Sequence, residues 1–435
     1  MAFAPVDLIE VRAWDRTVGA VTLDPASGFY AFEYDDDWAR GSQQLAPLHM
    51  PNGPGAFVFP GLAPLTFLRL PALLADALPD RFGNALVNAW MATNGVAVEQ
   101  ITPLDRLAYL ADRGMGALTF HPPAAAPDDS SVAVQLADLV TAARDAVSGK
   151  LTSDQAAHEA LRQLIQVGTS AGGARAKAVI AYNPETGQVR SGQAGAPDGF
   201  EHWLVKLDGV DTDTTREADP FTDGAGFGRL EYAYHLMARA AGVVMADCRL
   251  LPEGPRTHFL TRRFDRGPDG TRHHVLSLCA MAHLDFNLAR VHGYEQYLQT
   301  AAALDLDAAA RQQAFRRVVF NVAAVNRDDH TKNLAFLARE GGDWELAPAF
   351  DLTHAHNPDG AWTQAHQMSV NGKFEGITVD DLHVLADRFG VPGFKRVVGD
   401  VIAAVARWTD FAEEGGVSGA HIERVASDLE AHRIG

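Results

Sequence analysis

Asp328, Asn333 and Asp351 are the residues of this sequence best placed by type and spacing to do chemistry. The first two belong to the stretch Asn326-Arg327-Asp328-Asp329-His330-Thr331-Lys332-Asn333, and the third follows in Phe350-Asp351-Leu352. An aspartate and an asparagine at this separation suit phosphoryl transfer. The carboxylate takes the proton of an attacking hydroxyl, and the amide oxygen helps to hold a divalent metal ion. A second carboxylate must then hold metal against a triphosphate, and Asp351 is placed for it. Residues 334–339 and Trp344–Leu346 read as two strands around a turn containing Gly341-Gly342. An antiparallel hairpin returns the chain to its starting end, so Asn333 and Asp351 are expected to finish as neighbours.

Two further groups fit the same chemistry. Gly168-Thr169-Ser170-Ala171-Gly172-Gly173-Ala174-Arg175-Ala176-Lys177 is a run of small residues ending in cations. Its glycines allow close backbone approach to an anion, and consecutive N–H groups can cradle phosphate. Lys206, in the apolar strand Trp203-Leu204-Val205-Lys206-Leu207, offers a fixed cation for a triphosphate, and Glu231 could orient it as an ion pair. A different chemistry is open to His354 and His356. With Asp351 they could form a divalent-metal hydrolase site.

These residues need a scaffold that mixes strands and helices. Strand-like alternation runs through 6–11, 18–23 and Phe29–Tyr34, followed by helical stretches at 70–78 and Arg81–Thr93 and a short strand at 117–120. Residues 121–131, rich in Pro, Ala and Asp, read as a linker. A helix is expected at 151–167, strands at 178–182, 203–207, 249–251 and 258–264, and an amphipathic helix at 230–241 that Gly242 stops. Beyond Gly267 the pattern turns helical. Phe315, Val318, Val319 and Val322 form the buried stripe of a helix that delivers Asp328, and more helices follow at 379–389 and 395–408. The expected fold class is α+β, a mixed lobe followed by a mainly helical one, with the acidic site at their junction. Domain boundaries are expected at 1–125, 126–266 and 267–435.

Composition narrows the alternatives. The 435 residues are 47% hydrophobic and 21% charged, which is a globular balance. With 37 basic against 55 acidic residues the formal charge is −18, the wrong sign for a chain that coats nucleic acid by itself. Only two cysteines occur, Cys248 and Cys279, too few for a zinc cluster or a disulfide framework. The first residues lack the basic start of a signal peptide, and no apolar run approaches bilayer length, so a cytoplasmic protein without a membrane partner is expected.

In order along nearly the whole chain, these segments resemble the HipA family of bacterial toxin kinases. The resemblance is carried by Leu74-Ala75-Asp76-Ala77-Leu78-Pro79-Asp80-Arg81-Phe82-Gly83, Ser170 to Lys177, Thr261-Arg262-Arg263-Phe264-Asp265-Arg266, Asp328 to Asn333, Phe350-Asp351-Leu352 and Asn371-Gly372-Lys373-Phe374-Glu375. It implies a two-lobed, protein-kinase-like fold and a serine/threonine protein kinase that uses ATP and Mg2+. Asp328 would be the catalytic base, and Asn333 and Asp351 the metal ligands. Lys206 would bind the phosphates under Gly172, Gly173, Ala174, Arg175, Ala176 and Lys177. Arg262, Arg263 and Phe264 would line the adenine side, with His330, Lys332 and Phe350 counted in the nucleotide site. Ser170 matches the autophosphorylation serine that silences the kinase. Family targets are aminoacyl-tRNA synthetases, notably the glutamyl enzyme. The usual partner is a HipB-like helix-turn-helix antitoxin, through which DNA is reached. A catalytically silent scaffold for that antitoxin is the third reading.

Overall fold

The computed structural model describes residues 5–79, 81–124, 136–147, 175–192, 195–211 and 226–434. Ser170, Gly172, Gly173 and Ala174, and the helix expected at 151–167, lie outside them. The described residues form two compact units. One gathers residues up to 211 with 252–275 and 339–342; the other holds 226–251, 276–338 and 343–434.

The first unit carries two antiparallel sheets. Strands β1 (Leu8–Ala13), β2 (Arg16–Asp24), β3 (Phe29–Tyr34), β4 (Ala56–Phe57) and β5 (Leu118–His121) pair in the order β4-β3-β2-β1-β5. Their alternation is what the sequence promised: Ile9, Val11 and Ala13 point inward and are fully buried. The helix Arg81–Thr93 is fastened to Pro103–Leu110 by Arg106, which donates to Asn84 at 2.8 Å and Asn88 at 2.9 Å. By contrast, the stretch expected to be helical at 70–78 forms only the turn Ala72–Ala75. Pro71 stands at its N-cap, and Pro79 disfavours helical geometry at Leu78.

The strands of the second sheet that lie in this unit, β6 (Arg175–Tyr182), β7 (Val189–Ser191), β8 (Glu201–Asp211) and β9 (Arg256–Arg262), pair in the order β7-β6-β8-β9. A buried ion cluster holds the hairpin end of this sheet to the first one. Asp265, fully buried, accepts from Arg263 at 2.9 and 2.6 Å, from Arg266 at 2.8 Å and from the Gly116 N–H at 2.8 Å. Both guanidinium groups also donate to the Gly114 carbonyl oxygen. Trp14 Nε1 adds a 2.7 Å bond to the Arg272 carbonyl. Residues far apart in sequence thus share one hydrogen-bonded node.

The second unit is mainly helical. Its centre is the helix Ala308–Ala323, capped by Asp307, which accepts from the Ala310 N–H at 2.7 Å. Phe315, Val318 and Val319 are fully buried and Val322 nearly so; each such side chain contributes about 1.5–3 kcal/mol by leaving water. The helix Phe227–Ala240 packs nearby through Tyr234, whose hydroxyl donates to the Ala324 carbonyl at 2.7 Å. Gly242, at φ +78°, supplies the left-handed turn beyond its C-terminus. The helix expected at 395–408 forms as Phe394–Val405, ending three residues early, and a separate helix, Trp408–Glu414, follows it.

Two buried histidines set an acid limit on this fold. Burial lowers the pKa of His235 and of His274 to about 4, with nearby Arg239 adding to the effect at His235 and a bond to the Leu45 carbonyl opposing it at His274. A histidine that must stay neutral when folded stabilises fully above its unfolded pKa of about 6.5 and loses that contribution as pH falls toward 4. Thermal unfolding monitored by circular dichroism should therefore show a midpoint that declines between pH 6.5 and 4. Replacing both residues with glutamine should flatten that decline. An unchanged slope in the double variant would remove these histidines as its source.

Candidate active site

The helix Ala308–Ala323 ends where the acidic loop begins. Val325 takes φ +52°, an unfavourable conformation for a β-branched residue, and turns the chain out of the helix. Surrounding bonds hold that turn. Asn326 donates from its backbone to the Asn321 carbonyl and from its side chain to Asn321 Oδ1, both at 2.9 Å. Ala355 pairs across Asn326, receiving the Arg327 N–H at 3.1 Å and giving its own to Val325 at 3.3 Å.

Adjacent aspartates then take opposite roles. Asp329 is 1% exposed and fully engaged. Tyr294 Oη donates to it at 2.7 Å, His366 Nδ1 lies 2.8 Å away, and the Gln367 N–H donates at 2.7 Å. Burial, then the Asp329 charge, pushes the Tyr294 phenol well above its ordinary pKa, so it remains a donor. Asp328 instead stays half-exposed, its side chain 41% accessible. Its Oδ1 accepts from Trp362 Nε1 at 2.8 Å, with His330 Nε2 at 3.7 Å from the same oxygen. This leaves the carboxylate aimed but accessible.

Asn333 closes the loop by donating from Nδ2 to the Asp328 carbonyl at 2.8 Å. The hairpin of strands Ala335–Ala338 and Trp344–Leu346 pairs Phe336 with Leu346 and Ala338 with Trp344. It brings the chain back so that Asn333, Phe350 and Asp351 line one small cleft with Asp329. Asp351 adopts φ +53°, a strained left-handed backbone of the kind concentrated at functional sites. Lys332 lies over the Phe286 ring at 5.3 Å, and that ring also flanks His330 at 5.5 Å.

In the first unit, antiparallel register sets Lys206 opposite Lys177 on one side and Phe259 on the other. Lys177 is 4% exposed, and Lys206 lies over the Phe259 ring at 5.7 Å. Ala176 is fully buried in the same strand. Arg262 reaches Glu201 at 3.5 Å and Phe264 is half-buried. Glu231, on the helix Phe227–Ala240 of the second unit, is 1% exposed and so is no solubilising surface residue.

The Arg263 guanidinium is buried and committed to Asp265 and Gly114. One expectation needs correction: the metal set of Asp351, His354 and His356 does not form. Both histidines turn to Asp428, at 2.7 and 2.8 Å, and the carboxylate/imidazole group that converges among the described residues is His356, Asp428 and His432. Asp428, Trp362 and the partners of Asp329 were missed because they come from elsewhere in the chain. Only the doubled aspartate at 328–329 hinted that one acid might serve structure.

Residues 169–409 match the family model described as the HipA-like C-terminal domain, and residues 9–121 match that of the HipA N-terminal domain. The chain belongs to the HipA family. The HipA fold extends through both units. A solved complex, the Shewanella oneidensis MR-1 toxin–antitoxin system HipA, HipB and its operator DNA, matches over 98% of this chain and 96% of its own. That match has a TM-score of 0.68 and 16% identity. The Helicobacter pylori proinflammatory kinase CtkA aligns with 54% of this chain and 92% of its own length at 11% identity, but its TM-score of 0.29 is too low to build on. No curated protein matches the sequence. Among the described residues, no helix is long and apolar enough to cross a membrane.

Proposed function

We propose that this HipA-family chain is a Mg–ATP-dependent serine/threonine protein kinase. The reading rests most on one observation: Asn333 and Asp351 share a cleft beside a loop that presents Asp328 while burying Asp329. Asp328 Oδ2 takes the proton of a serine or threonine hydroxyl as that oxygen bonds to the γ-phosphorus. The bond from phosphorus to the bridging oxygen breaks, and its electron pair leaves with ADP. An amide oxygen and a carboxylate, Asn333 and Asp351, are hard donors that fit magnesium. When bound, the ion neutralises charge on the triphosphate. Lys206 and Lys177 lie opposite one another across a strand pair. Two cations set side by side suit one phosphate group, and we assign the same role to Arg175 and the Gly172–Ala174 run.

The preferred phosphorylation site in the chain itself is Ser170, where added negative charge beside the triphosphate silences the enzyme. A HipB-like helix-turn-helix antitoxin is the proposed partner and carries the contact with DNA; the protein substrate is of the aminoacyl-tRNA synthetase class. Calorimetry on the dephosphorylated full chain should detect Mg–ATP binding that Asp351→Asn weakens. Absence of any adenine-nucleotide affinity with magnesium present would refute the reading.

Trp362 is a positioning residue for Asp328. Trp362→Phe keeps an aromatic ring, though a smaller one, and deletes the Nε1 donor, a hydrogen bond to a charged group that contributes roughly 1.5–3 kcal/mol. We expect roughly a tenfold or greater fall in kcat with KM for ATP little changed. Unaltered kcat would show that Asp328 is aimed without it.

A further inference from the structure

Outside the cleft, three imidazoles gather around one carboxylate. The Asp428 carboxylate meets His354 Nε2 at 2.7 Å, His356 Nδ1 at 2.8 Å and His432 Nδ1 at 3.1 Å, the last nitrogen also lying 2.9 Å from the Asp428 backbone carbonyl. The donor atoms of His356, Asp428 and His432 all lie within 4.8 Å of one another. Asp428 and His432 are spaced i,i+4 at the end of the helix Gly419–Ala431, so both reach the same side. His354 and His356 are two apart on an extended segment whose middle residue, Ala355, pairs with Asn326. His354 is buried at 3% of its side chain, while His432 is 33% exposed and borders a cavity of ≈ 500 Å³.

The geometry points to a divalent transition-metal site built from His356, Asp428 and His432, with His354 hydrogen-bonded to the ligating carboxylate. Two imidazoles and one carboxylate are a zinc-type donor set that leaves a fourth position for water. Imidazole-rich sites favour such ions over magnesium or calcium, which require more oxygen donors. His354 occupies the outer position that orients a ligating carboxylate. Metal here would clamp the C-terminal helix to the segment that pairs with Asn326. On the kinase reading above, that braces the base of the Asp328 loop.

The test is Co2+ titration of the chelator-treated, untagged full chain, read by ligand-field absorption, with Zn2+ competition. Wild type should develop the intense visible bands of a low-coordinate site and lose them as Zn2+ displaces Co2+. His356→Ala and His432→Ala should each abolish the bands, and His354→Ala should weaken binding roughly 10–100-fold. Asp351→Asn, which impairs the proposed nucleotide site, should leave them intact. Circular dichroism checks that each variant folds; His432, partly exposed, is the safest of them. No bands in wild type, or bands that survive both ligand changes, would overturn the proposal. Bands lost on Asp351→Asn but kept on His432→Ala would assign the metal to the cleft and also overturn it. Intact bands in a chain that binds no ATP would sink the kinase reading alone.

Discussion

Wild-type chain incubated with Mg–ATP should acquire phosphate on Ser170, and Asp328→Asn should acquire essentially none. The substitution preserves size and the Trp362 contact while removing the group that takes the hydroxyl proton. General-base assistance of this kind contributes typically 10²–10⁴-fold, so the transfer rate should fall by roughly that factor. Mass spectrometry after a fixed incubation reads the difference directly. Equal phosphorylation of the two proteins would strip Asp328 of its role. Nucleotide binding without phosphate in either protein would favour a silent scaffold. Asp329→Asn makes a useful companion, because Asp329 accepts three contacts inside the protein and should fail through misfolding rather than lost proton transfer.

The second large effect concerns stability. Asp265→Asn should cost about 3–5 kcal/mol, because it leaves Arg263 and Arg266 buried without their counter-charge. Burial alone would raise the Asp265 carboxyl pKa, but the two guanidinium groups and the Gly116 N–H overcome this and hold it far below the ordinary carboxylate range. Burial also pulls Arg266 down to about 9, against the pull of Asp265. A carboxylate with a depressed folded pKa stabilises above its unfolded value of 3.8 and loses that contribution as pH falls through the folded pKa. The gap between wild type and variant should thus be full at neutral pH and narrow only in strong acid. Urea unfolding at pH 7 that separated them by less than about 1 kcal/mol would show that the cluster relaxes or hydrates without its acid.

Local patterns in the sequence carried much of this architecture. The strand Phe29–Tyr34 and the helix Arg81–Thr93 fall where alternation and helical spacing place them, and the hairpin of Ala335–Ala338 with Trp344–Leu346 returns Asp351 to Asn333. Each of those readings depends on neighbours along the chain. What escaped depends on distance. Trp362 meets Asp328 across 34 positions, and His354 meets Asp428 across 74, with no periodicity to link them. The His-x-His spacing revealed two side chains on one side of an extended segment but not which acid they would find. The partner of the Arg263 side chain, by contrast, stands only two positions on, at Asp265.

One short segment grips both acids of the loop. Trp362 holds Asp328, while His366 and Gln367 hold Asp329. Pushing on residues 362–367, as a docked protein or an inhibitory peptide could, would move the two together like keys on a single lever. A molecule that never entered the cleft could then detune it, and screens limited to nucleotide competitors would overlook it.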